Sequence, residues 1–174
     1  MRVLIRHEEI VDMCKIIGNR ITEDYAGKEP IIVCVLKGSL PFHAELIKHI
    51  NLPLTIDFIQ ASSYNGGTET SGVVKIKRDL ECDIADKDVI LVEDIVDSGY
   101  TLSLLTKELW KRKPASLKVV SMLDKPSNRK VQFEADYVGR VIDNLFVIGY
   151  YDGWFGENGD IMIRKEEKKK DHIT

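Results

Sequence analysis

The sequence lacks the features that mark several common classes of protein. It has no excess of either charge: 25 Lys and Arg stand against 28 Asp and Glu, a formal net charge of -3, with the signs mixed along the chain. That excludes the basic field on which nucleic-acid binding rests, and no nucleic-acid partner is expected. No apolar run approaches the roughly 20 residues a bilayer span requires. The amino terminus carries a charge before a brief Val3-Leu4-Ile5 rather than a signal-peptide pattern, so the expectation is a cytoplasmic protein without a membrane partner. Only three cysteines occur, Cys14, Cys34 and Cys82; they are odd in number, without CxxC spacing and among apolar neighbours. Disulfides and a zinc site are thereby disfavoured, and buried free thiols are predicted. Neither GxxxxGK[ST] nor GxGxxG is present, which removes the P-loop and the dinucleotide fingerprint. A length of 174 residues suits one good core, hence a single domain over 1–174, with room for a small lobe.

What is present centres on Val89 to Leu102, VILVEDIVDSGYTL. Val89, Ile90, Leu91 and Val92 form an apolar run without alternation, the pattern of a parallel strand buried on both faces. Glu93 and Asp94 follow, then two apolar residues, then Asp97-Ser98-Gly99-Tyr100-Thr101. Leu102, Leu105 and Leu109 recur at helical spacing, so a helix starts near Thr101 and Gly99 permits the turn that feeds it. In an open α/β sheet such a loop lies at the carboxyl edge of the strands, where ligands bind. Unpaired amides at the helix start, with the Ser98 and Thr101 hydroxyls, suit a phosphate. The acids cannot face that same phosphate. One carboxylate about 6 Å from a dianion costs roughly 1.4 kcal/mol even in bulk water, whereas a helix start returns about 0.3 to 2 kcal/mol. Vicinal hydroxyls, or Mg²⁺ held beside substrate phosphates, would satisfy the acid pair. A sugar phosphate with a free diol meets both demands.

Elsewhere the chain reads as alternating helices and strands. Ile10, Cys14, Ile17 and Ile21 predict an amphipathic helix over about 8–26, with Gly27 as its C-cap. His7, His43, His49 and His172 are read as exposed residues without a catalytic role. Ile31 to Leu36 predicts a second buried parallel strand, ending in Lys37-Gly38-Ser39 before a helix that carries Pro41, Phe42, Leu46 and Ile50. A lysine and a permissive glycine at a strand's carboxyl end suit a second anion, although a solvated loop lysine has the same appearance. Strands are predicted over Leu54–Ile59 and Val73–Lys77, separated by the polar, glycine-rich stretch 62–72, which is compatible with either a lid or a hairpin connector. Leu117 to Leu123 predicts another strand. It places Lys125 on the same edge as Lys37 and Glu93. Leu145 to Ile148 and residues 161–163 predict two last strands, and the tail from Arg164 to Lys170 reads as a solvated end.

The segment VEDIVDSGYT resembles the signature loop of the type I phosphoribosyltransferases, and the resemblance extends over about residues 3–152. It implies an α/β fold with a mostly parallel central sheet flanked by helices, and a small hood built from the N-terminal segment and about 145–174. It implies a purine salvage enzyme that transfers the phosphoribosyl group of phosphoribosyl pyrophosphate to N9 of hypoxanthine and/or guanine. The implied roles cover several groups of residues. Glu93, Asp94, Asp97, Ser98, Gly99, Tyr100 and Thr101 would hold the phosphoribosyl group, with Asp97 as general base. Lys37 and Gly38 would hold pyrophosphate. Lys125, Phe146, Val147 and Asp152 would bind the purine, and Ser63 and Tyr64 would begin a mobile lid. Mg²⁺ is the implied cofactor, with Glu93, Asp94 and Asp152 as metal contacts, and a homodimer or homotetramer is implied. A lysine donor at Lys125 favours a 6-oxo over a 6-amino purine. The chain departs from the family pattern after Tyr150, with one residue fewer before Asp152 and no arginine between it and Arg164. A sensor of phosphoribosyl pyrophosphate with the same fold and no catalysis is the alternative.

Overall fold

The computed structural model describes residues 1–63, 72–150 and 158–164. In chain order the elements are β1 (Arg2–Ile5), α1 (His7–Asp24), β2 (Ile31–Val35), α2 (Leu40–Ile47), β3 (Thr55–Ser63), β4 (Val74–Arg78), β5 (Asp88–Val96), α3 (Tyr100–Trp110), β6 (Ser116–Asp124), a 3₁₀ turn (Pro126–Asn128), β7 (Tyr137–Val141), β8 (Val147–Ile148) and β9 (Ile161–Ile163). Six strands form one sheet in the order β4-β3-β2-β5-β6-β7. All its pairings are parallel except β3 with β4. A second, three-stranded antiparallel sheet has the order β1-β9-β8. The expected α/β fold with a mostly parallel sheet is therefore observed.

The period of two along the central strands divides the core. Ile32, Ile90, Val92, Val120 and Met122 face α1 and α2, where Ile10, Ile17, Ile21, Phe42 and Leu46 complete one cluster. Val33, Leu91 and Val119 face the other side and meet Leu102, Leu105 and Leu109 of α3. Ile5, Val147, Tyr150 and Ile161 join the first cluster, so the small sheet packs on the α1–α2 side. Both predicted amphipathic helices bury the residues that predicted them.

Three expectations need correction. Strand β5 does not end at Val92; it continues to Val96, because Glu93 pairs with Ser121, Ile95 with Leu123 and Val96 with Asp124. The acid pair thus lies within the last turns of the pleat rather than in the loop. His43 is buried, with Nε2 3.2 Å from the Ile32 carbonyl oxygen, and burial lowers its pKa. His49 is half-buried on Glu45, and His172 lies outside the described residues. All three cysteines are free as expected, but Cys82 is only partly covered. Strand β7 was not foreseen: Tyr137-Val-Gly-Arg-Val has one buried residue and a glycine, a weak pattern for an edge strand.

The approach of α1 to α2 depends on Gly18. A Cβ there would lie 2.5 Å from the backbone oxygen of His49, an atom that cannot rotate away. Replacing Gly by Ala in a helix ordinarily returns about 1 kcal/mol, but overpacking against backbone costs about 1–3 kcal/mol. Gly18→Ala is expected to lower the midpoint of denaturant unfolding, a net loss of about 1 kcal/mol; a raised midpoint would mean that the helices can separate freely.

Candidate active site

The carboxyl ends of β2 and β5 deliver their loops to one cleft of about 290 Å³. Lys37 and Gly38 come from the β2–α2 loop, and Glu93, Asp94 and Asp97 from the end of β5 and just beyond. Ser98, Gly99, Tyr100 and Thr101 complete it at the start of α3. Nine residues singled out in the sequence therefore share one wall-to-wall site.

The turn from β5 into α3 needs glycine twice over. Gly99 has φ +86°, and an added Cβ would meet Arg129 Cδ at 3.0 Å. Helix α3 begins directly after it, so the first-turn amides, which have no intrahelical acceptor, open at the cleft. Within the turn, Ser98 Oγ accepts from the Tyr100 amide at 3.4 Å, and the Thr101 hydroxyl donates to Ser63 Oγ at 3.3 Å. That last contact ties the end of β3, where the long polar stretch begins, to the turn that starts α3. On the β2 side the Leu36–Lys37 peptide is cis, and Ser39, wholly buried, donates to the Val35 carbonyl at 2.5 Å.

The acids divide by environment. Glu93 Oε1 accepts from the Asp94 amide at 2.9 Å, and Asp94 Oδ1 from the Ile95 amide at 2.7 Å. Desolvation first, and the adjacent Asp94 charge second, push the Glu93 carboxyl well above the usual carboxylate range. Asp97 is half-exposed; its Oδ2 lies 3.9 Å from Lys125 Nζ, and its Oδ1 accepts from the Asn128 side-chain amide. Lys125 is only 6% exposed, so its ammonium is fixed beside Asp97 rather than in solvent.

These residues fit a hard divalent cation in one particular way. Among the described residues no group of three or more His, Cys, Asp or Glu side chains is arranged around a metal position. Among the described residues of the cleft, Glu93 and Asp94 can offer one or two carboxylate oxygens, and Mg²⁺ is characteristically held by one or two carboxylates together with substrate oxygens and water.

Four expected residues, Ser63, Lys125, Phe146 and Val147, lie outside the lining of this cleft, the first two in contact with its Thr101 and Asp97. Phe146 and Val147 lie at β8: the Val147 side chain is buried, while Phe146 is 57% exposed with the Arg164 guanidinium 6.0 Å from its ring. Neither lines the cleft. Tyr64 and Asp152 lie outside the described residues. Two residues escaped the sequence reading, Asn128 and Arg129. They sit in a polar stretch after a strand, where an amide and a cation ordinarily read as solvated; their proximity to Pro126 and to the strand end was the available signal.

A mostly parallel sheet with a helix start and an acid pair at its carboxyl edge is an arrangement suited to a phosphorylated sugar. Residues 4–152 match the family model for the phosphoribosyl transferase domain, and the chain belongs to that family. The chain is 50% identical over 149 residues to the hypoxanthine-guanine phosphoribosyltransferase of Streptococcus pneumoniae, covering 86% of this chain and 83% of that protein. It is 45% identical over 169 residues to the enzyme of that name from Streptococcus thermophilus, covering 95% and 94%. The crystal structure of a hypoxanthine phosphoribosyltransferase from Staphylococcus aureus superposes with a TM-score of 0.89 at 44% identity, covering 95% of this chain and 91% of that one.

Because the Glu93 carboxyl is raised, proton and cation compete for it. Below its folded pKa the carboxyl is neutral and a poor ligand; above it the carboxylate is free to bind. Mg²⁺ affinity, followed by titration calorimetry, is expected to rise with pH, and Glu93→Gln is expected to weaken binding and flatten that dependence. An equally steep dependence in the variant would assign the competing proton to another group.

Proposed function

We propose that the protein is a purine salvage enzyme, transferring the 5-phosphoribosyl group from phosphoribosyl pyrophosphate to N9 of hypoxanthine and/or guanine and giving IMP or GMP with pyrophosphate. The observation that carries this reading is the Asp97–Lys125 pair, 3.9 Å apart at the cleft's edge. A 6-oxopurine presents N7 and O6 as adjacent atoms on one edge. A carboxylate beside an ammonium offers an acceptor to a proton on N7 and a donor to O6. Adenine would set its amino group against the ammonium, donor against donor, which a polar site rejects strongly. The names of the relatives, hypoxanthine-guanine and hypoxanthine phosphoribosyltransferase, support the same substrate class.

In this reading the amides and hydroxyls from Asp97 to Thr101 bind the 5′-phosphate, and Glu93 and Asp94 accept from the ribose diol. Lys37 and Gly38 bind the pyrophosphate. The C1–O bond to pyrophosphate breaks as the C1–N9 bond forms, and positive charge grows on the ribose ring, where the nearby carboxylates stabilise it. Asp97 accepts the purine proton as N9 becomes nucleophilic. Mg²⁺, held by Glu93 and Asp94 and by substrate oxygens, would neutralise charge on the leaving pyrophosphate. Phe146 stacks on the base, Val147 and Asp152 read its edge, and Ser63 and Tyr64 begin a lid that excludes water from the activated ribose. The chain forms one domain with β1, β8 and β9 as its hood, assembles as a homodimer or homotetramer, and works in the cytoplasm. Among the described residues no helix is long and apolar enough to cross a membrane.

Product formation from phosphoribosyl pyrophosphate and Mg²⁺ with hypoxanthine, guanine, xanthine and adenine tests the proposal. The oxopurines hypoxanthine and/or guanine are expected to turn over and adenine not. Asp97→Ala should lower kcat by about 10²- to 10⁴-fold, and Lys125→Ala should chiefly raise KM for the base. Absence of turnover with every purine would refute the assignment.

A further inference from the structure

The segment that follows β6 takes hold of the turn from β5 into α3 at its first residues, Val96 to Ser98. The Val96 carbonyl accepts from the Lys125 amide at 2.9 Å, and the Ser98 carbonyl from the Lys130 amide at 2.9 Å. Between them, the Asp97 carbonyl accepts from Arg129 Nη1 at 2.8 Å, and that nitrogen also lies 3.4 Å from the Val96 oxygen. Three successive carbonyls of the turn are thus drawn to one side. In a trans peptide the N–H of the next residue points opposite to the carbonyl. The amides of Asp97, Ser98 and Gly99 are therefore turned away from this segment, on the side of the turn that lines the cleft.

Arg129 occupies the middle of this arrangement and uses nearly all of its donors. Nη2 donates to Asp124 Oδ1 at 2.6 Å and Nε to the Phe133 carbonyl at 2.8 Å, and the side chain is 14% exposed. Its Cδ fills the space that a side chain at position 99 would need. A buried guanidinium directed at backbone carbonyls, with its charge met by Asp124, is a fixed bracket rather than a ligand.

We propose that Arg129 is a positioning residue for phosphate recognition: by fixing the carbonyls of Val96 and Asp97 it holds the peptide planes of the turn so that their N–H groups face the anion. The same segment carries Lys125, so the base-reading ammonium and the phosphate-reading amides are set by one short piece of chain. This rests on the reading of the Asp97–Thr101 turn as the 5′-phosphate site.

The test compares dissociation constants for IMP and for inosine, which differ only by the phosphate. In the unaltered protein IMP is expected to bind much more tightly. Arg129→Lys keeps a cation for Asp124 but cannot reproduce the planar fork. It is expected to weaken IMP by about 10- to 100-fold and to leave inosine nearly unchanged. Arg112→Lys, at the exposed pair with Asp79 on the far end of α3, is expected to alter neither. Equal loss for both ligands, or no loss for IMP, would overturn the positioning role while the salvage reading stands. Equal affinity of the unaltered protein for IMP and inosine would overturn the reading beneath it. A second measurement needs no variant: on titration with inorganic phosphate the Ser98 and Gly99 amide resonances of the unaltered protein are expected to shift, and their silence as phosphate binds would also overturn the proposal.

Discussion

The site depends on β5 being paired on both sides, to β2 through Val92 and to β6 through Val96. A strand buried on both faces cannot slide or twist without breaking two ladders and two cores. Its carboxyl end is therefore a fixed point, and everything needed in the cleft is attached to it within a few residues. Glu93 and Asp94 are its last polar members, and the turn to α3 begins one step after its last apolar residue, Val96. The β2–α2 loop, carried by the neighbouring strand, meets it from the side.

That placement resolves an electrostatic conflict. Two carboxylates in the cleft would repel an anion held at the start of α3, and the helix start cannot offset this. The acids sit in the strand, before the turn, and one of them, Glu93, is held toward its neutral form by desolvation and by Asp94. A ligand with a phosphate at one end and hydroxyls beside it satisfies both parts together, whereas inorganic phosphate alone would satisfy only the turn. Lys125 extends the arrangement in the third direction. Buried and anchored through its own amide to Val96, it faces Asp97 as a donor beside an acceptor.

Much of this was legible in the sequence because it depends on local rules. Two continuous β-branched runs announced buried parallel strands, Leu102, Leu105 and Leu109 announced α3, and Gly99 announced the turn. The residues brought together by these elements were the ones the sequence singled out. Other features depend on contacts between distant segments and left little trace. The acids at 93 and 94 stay in the strand because β5 remains paired with β6 through Glu93, Ile95 and Val96, and His43 is buried because α2 lies over β2. Arg129 reads as a surface cation until its acceptors, three backbone oxygens and Asp124, are seen. Phe146 and Val147 lie at β8 of the small sheet, outside the lining of the cleft formed by the β2 and β5 loops.

In the proposed function the turn from Asp97 to Thr101 receives a phosphate while Glu93 and Asp94 receive the adjacent hydroxyls. A crystal structure of the protein with bound IMP tests it directly. Phosphate oxygens are expected within hydrogen-bonding distance of the turn's amides and of the Ser98 and Thr101 hydroxyls, with the ribose diol on the acid pair. A phosphate seated instead on Lys37 and Gly38, with the diol turned away from Glu93 and Asp94, would contradict it.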